Sequence, residues 1–351
     1  MSKVLFITDT HLGARSGSTS FRELFRRYYV HTLFPYIVEN GIKTVIHLGD
    51  FFDDTNAINV KDIDFLLSEY IPEFKKTGAH MHVVSGNHDT YYKTTNTTHA
   101  TIVLQMFPYL FTVVHDDIQT LDVNGQKFVL CPWINPDNHD RLMEGIKTHA
   151  YDDTILCGHF EVNGAKMYKS SARCDHGIEP NVFKRYQRVL SGHFHTPNTI
   201  NNIDYIGALF HYNWEDYNDW RGFTIYDTDT KAFDKVENAN CLFMQCTYPT
   251  DVELDVTGKY VRVVIESEVN RVQFQDWKKA IEAKNPVKLD IIDLSVLASA
   301  VEPEDDQDHA DVDNKGIVDY AHEYVREHAK RDKLVQTFQH LYKSSLNNRV
   351  A

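Results

Sequence analysis

The first 90 residues alternate between short apolar runs and longer amphipathic segments, and this alternation constrains the fold more than any other feature. The runs at 3–8 ("KVLFIT"), 43–50 ("KTVIHLGD") and 80–89 ("HMHVVSGNHD") are rich in strand-forming residues. The segments at 20–41 and 60–78 carry apolar residues at helical spacing, and each ends at a glycine. This β-α-β-α-β order predicts parallel strands that are covered by helices.

The following part of the chain is expected to add antiparallel strands. Asn-Gly lies between two alternating runs at 120–133, which is a strong hairpin signal, and 221–238 predicts a second hairpin. Residues 99–107 predict a further helix. Additional strands are predicted at 153–160 ("DTILCGHF"), 186–195 ("YQRVLSGHFH") and 203–210 ("IDYIGALF"). We therefore expect a mixed-sheet α/β sandwich that ends near Asn240.

Three segments follow the predicted sandwich. Residues 241–301 predict a small β-α-β unit. Residues 302–314 are acidic and poor in large apolar side chains, which is typical of a solvated linker. Residues 315–351 have apolar residues at helical spacing and predict one or two amphipathic helices on that tether. We thus expect a domain at 1–240, a small domain at 241–301, a linker and a helical tail.

Composition limits the functional classes. The net charge of −14 argues against passive nucleic-acid binding, which needs a basic surface, but bound cations can offset carboxylate ligands in an enzyme that acts on phosphates. The five cysteines form neither a disulfide framework nor CxxC spacing, so a reducing cytoplasm is expected. The first residues do not follow a signal-peptide pattern, and no apolar run is long enough to span a membrane.

Metal-ligating side chains follow five predicted strands at the points where those strands end. They are Asp9, His11, Asp50, Asn87, His159, His193 and His195. Ligands of open α/β sheets gather outside the carboxyl ends of the strands, so these side chains are expected to meet. Carboxylate, amide and imidazole donors without thiolate suit Mn²⁺, Fe²⁺ or Zn²⁺. Seven donors are too many for one ion, and Asp50 is the expected bridge between two ions.

Glycines accompany four of these strand exits, at Gly49, Gly86, Gly158 and Gly192. We expect them to let the backbone turn tightly and expose the next side chain. His47, which comes just before the second exit, is expected to be a core histidine.

The order D-x-H, G-D-x-x-D, G-N-H-D, G-H and G-H-x-H resembles the calcineurin-like metallophosphoesterase superfamily over roughly residues 1–240. The resemblance implies a β-sandwich flanked by helices in four layers, α-β-β-α. It also implies two ligand sets that share Asp50: Asp9, His11, Asp50 and His195 for one ion, and Asp50, Asn87, His159 and His193 for the other. His88 would contact the phosphate and act as the general acid. Asp53 and Asp89 would support the ligands from behind.

Within that superfamily the chain is similar to the SbcD-like nucleases, on the phrases "FITDTHLG", "GDFFD", "GNHD" and "SGHFH" and on the small domain and tail that follow. The length and "CPWINPD" resemble the small subunits of the recombination endonucleases of T-even-type phages. The resemblance implies a Mn²⁺-dependent nuclease of DNA recombination and repair, with Mg²⁺ as a structural substitute. It would be an exonuclease on duplex ends and an endonuclease on single strands or hairpins.

The same resemblance implies partners. It implies a homodimer formed through helices near 58–76 and 99–107, and an SbcC-type ABC ATPase bound through 315–351, in a two-plus-two complex. The unit at 241–301 would cap the site and guide DNA. If the chain is phage-encoded, its compartment would be the host-cell cytoplasm.

Candidate phosphate contacts are basic residues near the predicted site, which are the better candidates, and basic residues of the small unit, for which a solvated surface of mixed charge is the simpler interpretation. They are Arg15, Arg22, Arg26, Arg27, Lys278 and Lys279. Two other functions stay open: a small-molecule phosphodiesterase or phosphomonoesterase on the same scaffold, and a DNA-end tether with weak nuclease activity.

Overall fold

The structure is a computed structural model that describes residues 3–169, 173–249 and 253–295. The predicted linker at 302–314 and the helical tail at 315–351 lie outside the described residues. The chain divides into two compact units, Met1–Leu242 and Phe243–Ala351. None of the helices within the described ranges has the length and apolar character needed to cross a membrane.

The first unit contains fourteen strands within the described residues. They are β1 (Lys3–Ile7), β2 (Thr44–His47), β3 (His80–Val84), β4 (Thr90–Tyr92), β5 (Thr95–His99), β6 (Phe111–Val114), β7 (Gln119–Val123), β8 (Gln126–Cys131), β9 (Thr154–Gly158), β10 (Arg188–Ser191), β11 (Asn198–Ile200), β12 (Ile203–Tyr205), β13 (Gly222–Asp227) and β14 (Phe233–Glu237). They form two six-stranded sheets, β14-β13-β1-β2-β3-β6 and β11-β12-β10-β9-β8-β7, and a β4-β5 hairpin.

The helices of this unit lie between those strands. They are α1 (Ala14–Gly17), α2 (Thr19–Tyr28), α3 (Phe34–Glu39), α4 (Val60–Phe65), α5 (Ile71–Thr77), α6 (Ile102–Gln105) and α7 (His139–Thr148), with a 3₁₀ turn at Pro180–Phe183. The helix predicted at 99–107 is thus a single turn.

Strands β1, β2, β3 and β6 run parallel, which confirms the prediction for the first part of the chain. The expectation of antiparallel strands afterwards was wrong for most of the second sheet. Strands β8, β9, β10 and β12 are parallel, and the antiparallel pairs of the two large sheets are the hairpins β7-β8, β11-β12 and β13-β14 together with β1-β13. The reason is that α7 and the segment 159–187 are long enough to act as crossovers between parallel strands.

The two sheets pack face to face through one apolar layer. Side chains alternate across each strand, so Val4 and Phe6 of β1 meet Phe128 and Leu130 of β8 in the shared core. The opposite face of the second sheet packs on α7 through Val129 and its neighbours. Helices α2 to α5 cover the first sheet, where the ring of Phe74 stacks on Phe111 of β6. The predicted four-layer α-β-β-α sandwich is confirmed.

Each of the two continuous helical segments that cover the first sheet, α2 with α3 and α4 with α5, contains a π turn. Residues Tyr29–Leu33 join α2 to α3, and Leu66–Tyr70 join α4 to α5. Pro35 and Pro72 lie just after these turns, near the start of α3 and α5. Proline lacks the N–H of the helical ladder and its ring collides with the carbonyl four residues earlier, so each helix widens by one residue there and continues.

The described part of the second unit is a parallel three-stranded sheet with one helix. Its elements are β15 (Phe243–Tyr248), β16 (Tyr260–Ile265), α8 (Arg271–Glu282) and β17 (Lys288–Asp293). The side chain of Asn270 caps α8 by accepting hydrogen bonds from the backbone of Val272 and Gln273. Phe274 and Trp277 of α8 pack against Val261 and Val263 of β16 in a small core.

Candidate metal centre

The ends of β1 and β2 are joined by backbone hydrogen bonds that place their polar side chains together. The N–H of Asp9 donates to the carbonyl of Gly49 at 3.0 Å, and that of His11 to the carbonyl of Asp50 at 3.1 Å. The buried carboxylate of Asp89 then ties in the end of β3, because it accepts hydrogen bonds from the backbone N–H groups of Phe51, Phe52 and Gly86. Asp89 therefore fixes the loops of two strands relative to each other.

Four of the seven predicted ligands adopt left-handed backbone conformations, which are unfavourable for residues with a side chain. The φ angles are 48° at Asp9, 43° at His11, 55° at Asp50 and 87° at His193. Such strain persists only where the surroundings enforce it, and it clusters at functional sites. The histidine pair 193 and 195 thus lies in an irregular turn, which lets both rings face one centre.

The motif glycines act mainly through space and less through tight turns. Of the four, only Gly49 has a positive φ, of 106°. Gly86 has an ordinary φ, but a Cβ there would collide with the carboxylate and backbone of Asp50. The expectation of tight turns was therefore wrong for most of these glycines: they allow neighbouring loops to approach without side-chain interference.

The first cluster joins the end of β1 to the second histidine of "GHFH". Nε2 of His11 lies 3.2 Å from Nε2 of His195. Oδ1 of Asp9 lies 3.9 Å from both of these nitrogens. The donor atoms of the three residues lie within 4.8 Å of one another, as a shared ion would require.

The second cluster joins the other strand ends. Nε2 of His159 lies 3.0 Å from Oδ1 of Asn87 and 3.3 Å from Oδ2 of Asp50. Nδ1 of His193 lies 3.0 Å from the same oxygen of Asn87. Oδ2 of Asp50 is also 3.9 Å from Nε2 of His11, so this one oxygen faces both clusters. The structure brings all seven predicted ligands together.

The donor set fits divalent cations. Nδ1 of His159 donates its hydrogen to the carbonyl of Leu48 at 2.8 Å, so Nε2 is the nitrogen that faces the oxygens of Asn87 and Asp50 and would bind a cation once its proton is displaced. Two imidazole nitrogens at 3.2 Å, as in His11 and His195, also share a position where a cation can bind both. Oxygen and imidazole donors without thiolate suit Mn²⁺, Fe²⁺ or Zn²⁺.

Neighbouring charges and burial shift the pKa values of the site residues in opposite directions. Burial raises the pKa of Asp50, but the imidazoles of His159, His11 and His88 more than offset it and hold this pKa well below its usual range. Burial likewise lowers the pKa of His159, but the carboxylates of Asp50 and Asp9 raise it to about 9. Protons on the imidazoles compensate these carboxylates, and a bound cation would replace those protons.

His88 lies at the rim of the cluster. Its backbone N–H donates to Oδ1 of Asp50 at 2.8 Å, and its Nδ1 donates to the carbonyl of Asp53 at 2.6 Å. The latter bond fixes the ring and leaves Nε2 as the nitrogen that can hold or release a proton. His88 and Asp53 line a cleft of about 410 Å³, so the ring is accessible from solvent.

The remaining predicted residues of the first half lie close by. Oδ1 of Asp53 is 3.3 Å from Nδ1 of His11. His47 is fully buried: its Nδ1 accepts from the N–H of Gly49 and its Nε2 lies 2.8 Å from the hydroxyl of Thr10. Burial lowers the pKa of His47 to about 3, so it is a neutral core residue beside the site.

Sequence reasoning missed the carboxylates behind the second-sheet histidines. Oδ1 of Asp216 lies 3.8 Å from Nδ1 of His195, and the fully buried Arg221 pairs with Asp216 at 2.5 Å and with Asp219 at 2.9 Å. Oε1 of Glu161 lies 3.3 Å from Nε2 of His193. These residues stand in the unpatterned stretch "FHYNWEDYNDW" and in a loop, and no spacing in the sequence distinguishes them.

Tyr212 lies in the same unpatterned stretch and also contacts the cluster. Its hydroxyl donates to the backbone carbonyl of Asp9 at 2.7 Å, and its ring meets that of His11 edge-on.

A second cleft, of about 340 Å³, is lined by Tyr168 and Lys169 and also includes His193 and His195.

The predicted phosphate contacts differ in their present partners. Arg22 is bound to the buried Asp62 at 2.8 Å, and Arg26 to Glu69 at 2.6 Å. Nε of Arg15 donates to the carbonyl of Tyr212 at 2.9 Å. The exposed Arg27 lies 3.9 Å from Glu23. In the second unit Lys278 lies 3.6 Å from Glu282 and Lys279 is exposed.

Comparison with known proteins agrees with this geometry. Residues 2–197 match the family model described as calcineurin-like phosphoesterase. Exonuclease subunit 1 of Enterobacteria phage T4 is 30% identical over 353 residues, which covers 97% of this chain and 98% of the relative. A subunit of the nuclease SbcCD from Staphylococcus epidermidis is 22% identical over 253 residues, with 65% of this chain and 66% of the relative covered.

Among solved structures, an archaeal phosphodiesterase aligns with 67% of this chain and 99% of its own, at 16% identity and a TM-score of 0.33. The family match spans more than half of the chain, and the phage relative aligns over nearly all of it. Together with the clustered donors, these matches show that the chain is a metal-dependent phosphoesterase that belongs to the calcineurin-like phosphoesterase family.

Proposed function

We propose that this chain is a two-metal, Mn²⁺-dependent DNA nuclease that processes DNA ends for recombination and repair. The observation that carries the proposal is the position of Asp50 Oδ2, which faces His11 in one cluster and His159 in the other. Paired divalent sites with a shared carboxylate suit phosphodiester hydrolysis. The relatives named as an exonuclease subunit and a nuclease subunit support DNA as the substrate.

In this proposal the seven clustered residues hold two ions, with Asp50 shared between them. Bound divalent ions would neutralise charge on the phosphate and lower the pKa of water. His88, fixed through its Nδ1 on the carbonyl of Asp53, holds a proton at Nε2 for the leaving oxygen. Asp53 and Asp216 orient His11 and His195 through their outer nitrogens. Exonuclease action on duplex ends and endonuclease action on single strands or hairpins belong to the same proposal.

Basic residues of the first unit and two lysines of the second unit are proposed to bind the DNA backbone. Arg15 and Arg27 lie on exposed surface close to the first cluster in sequence, and Lys278 and Lys279 lie on α8. Arg22 and Arg26 would have to exchange their carboxylate partners for phosphates, so we expect a smaller contribution from them.

A homodimer is proposed from apolar side chains that the predicted dimer helices leave exposed. Val60 is 82% exposed, and Leu67, Ile102 and Met106 are also exposed. A second copy of the chain would bury such exposed apolar side chains. Sedimentation at micromolar concentration should show a dimer that the Met106→Glu variant weakens; a strictly monomeric chain would contradict this part.

The proposed partner is an SbcC-type ABC ATPase, bound in the cytoplasm through residues 315–351. Deletion of that segment should abolish ATPase binding and leave Mn²⁺-dependent cleavage of small substrates intact. ATPase binding by the shortened chain would contradict the proposed role of residues 315–351.

The central experiment measures Mn²⁺-dependent cleavage of end-labelled blunt duplex and single-stranded DNA, with and without the ATPase. The His88→Gln variant should lose about a hundredfold or more of the rate, because the general acid is removed. The matched control is His31→Gln, at an exposed position on the first π turn. Turnover of simple phosphate esters without any DNA cleavage would favour the small-molecule phosphoesterase instead, and binding of DNA ends without turnover would favour the tether.

A further inference from the structure

A cleft of about 450 Å³ opens beside the second cluster and has no part in the mechanism above. His159 forms one end of it. The lining is largely apolar and comes from the loop after β8, from α7 and from the crossover before β10. The main apolar residues are Trp133, Ile134, Met143, Ile178 and Val182.

Trp133 lies between this cleft and the predicted ligands. Its ring centroid is 5.4 Å from that of His193 and 5.9 Å from that of His159. The indole is half-buried, whereas Phe160 in the same cleft is fully buried. Trp133 therefore presents an aromatic surface directly next to the position where the scissile phosphate would bind.

Hydrogen bonds hold the Trp133 backbone in place. Its N–H donates to the carbonyl of Ser85 at 2.9 Å. Its own carbonyl accepts from Nδ2 of Asn96 at 2.8 Å and from Nδ2 of Asn138 at 3.1 Å. Because Ser85 lies two residues before Asn87, these bonds hold the Trp133 backbone next to the loop that carries this ligand. A residue whose backbone is already ordered loses less entropy when a ligand binds to it.

The polar groups around the cleft select against phosphate. Glu161 and Glu179 line the cleft, and the exposed imidazole of His139, which also lines it, is bound to the carboxylate of Asp140 at 2.9 Å. Two carboxylates repel a phosphate group, whereas a flat neutral ring can fill an apolar cleft next to an indole. Every nucleobase offers such a face, so stacking here would tolerate any sequence.

We propose that the Trp133 cleft binds the nucleobase adjacent to the scissile phosphate, stacked on the indole. This inference rests on the proposed nuclease function. It makes Trp133 a substrate-binding residue that distinguishes nucleotides from other phosphodiesters. A phosphodiester bound at His159 and His193 has a nucleobase on either side. The indole is close enough to both imidazole rings for one of these two bases to stack on it.

The test compares two single strands of equal length and charge, one of thymidine residues and one in which every residue is an abasic tetrahydrofuran analogue. The full chain with Mn²⁺ should cleave the thymidine strand with a kcat/KM about tenfold or more above that for the abasic strand. Trp133→Ala should lose that advantage and match the wild type on the abasic strand. Trp133→Phe should keep most of it, and Tyr151→Ala, at an exposed aromatic outside the cleft, should keep it all.

Mn²⁺ titration by calorimetry separates stacking from support of the ligands. Unchanged Mn²⁺ affinity in Trp133→Ala, together with loss of the base preference, supports the proposal. An equal fall on both strands, or a wild type that cleaves both equally, overturns it while DNA cleavage still upholds the nuclease. A wild type that cleaves neither the thymidine strand nor duplex DNA overturns the nuclease and this inference with it.

Discussion

The two sheets support their halves of the metal centre in different ways. At the first sheet, the loops that carry Asp9, Asp50 and Asn87 are joined by backbone hydrogen bonds and by Asp89, all within the motifs themselves. At the second sheet, His193 and His195 contact carboxylates from outside their own motif: Asp216 lies behind His195 and Glu161 behind His193. His159 is the exception, because its Nδ1 donates to the backbone carbonyl of Leu48.

This difference separates ligand placement from ligand orientation. Backbone bonds at the first sheet place the carboxylates, and a side-chain substitution there removes a donor but leaves the loops joined. The orientation of the His193 and His195 imidazoles depends on the carboxylates behind them. We therefore expect first-sheet substitutions to act on the chemistry and second-sheet supports to act on metal affinity and stability.

The largest effect is expected at the shared carboxylate. Asp50→Asn replaces one carboxylate oxygen with an amide nitrogen, which cannot bind a cation; with Oδ1 kept as acceptor for the His88 N–H, the nitrogen takes the place of Oδ2. Cleavage with Mn²⁺ should fall by more than about a hundredfold, and the number of bound Mn²⁺ ions should fall from two. Calorimetric titration and a DNA cleavage assay measure both. The matched control is Asp64→Asn, at an exposed carboxylate on α4.

Retention of two tightly bound ions in Asp50→Asn would contradict the shared role of this carboxylate. The expectation that first-sheet substitutions act on the chemistry would then fail, because cleavage would not depend on the motif residue that faces both clusters.

A smaller but divided effect is expected at the second sheet. Asp216→Asn weakens the support of His195 and leaves buried Arg221 with one carboxylate, so Mn²⁺ affinity should fall about 10- to 100-fold and stability by about 3 kcal/mol. Asp219→Asn removes the other partner of Arg221 but does not face His195. It should lower stability similarly and leave Mn²⁺ affinity nearly unchanged.

Thermal unfolding of the two variants measures the loss of stability, and Mn²⁺ titration measures the loss of Mn²⁺ affinity. Equal losses of Mn²⁺ affinity in both would mean that Asp216 acts by general stability, and the distinction between placement and orientation would not hold.

The same distinction explains how far the sequence predicts this molecule. The residues that meet at the candidate centre could be predicted because each follows a strand end and carries its own motif, as in "GNHD" and "GHFH". The sandwich followed from apolar runs that are buried on both faces, such as that of β1, where Val4 and Leu5 are both fully buried.

What failed was connectivity and support. Strand direction in the second sheet depends on whether a connection crosses over, and the helix at His139–Thr148 has only two fully packed apolar residues, Leu142 and Ile146, to mark it. Asp216 and Arg221 are five residues apart in a loop, so no period relates them to His195. Tertiary packing alone brings them together.

The smallest expected effect is a pH dependence of stability in the metal-free chain, and it concerns the first sheet. Burial lowers the pKa of His82 on β3, with a further contribution from His80, to about 4, and that of His47 on β2 to about 3. An unfolded histidine titrates near 6.5. Between about pH 6.5 and 4 these two histidines therefore bind protons in the unfolded chain but not in the folded chain, so their contribution makes the free energy of unfolding fall as the pH falls. Burial raises the pKa of Asp89 to about 7, which acts in the opposite direction and reduces the net effect.

Thermal unfolding in the presence of a chelator should show a midpoint a few degrees lower at pH 5 than at pH 7. His82→Asn removes one titrating group and should make this dependence shallower, whereas His139→Asn, at an exposed histidine next to the second sheet, should not. An identical pH dependence in all three chains would mean that histidine burial in the first sheet does not set the acid sensitivity. A shallower dependence in His82→Asn alone would show that acid destabilises the first sheet by protonating a buried histidine. This is the sheet whose loops are joined mainly by backbone hydrogen bonds.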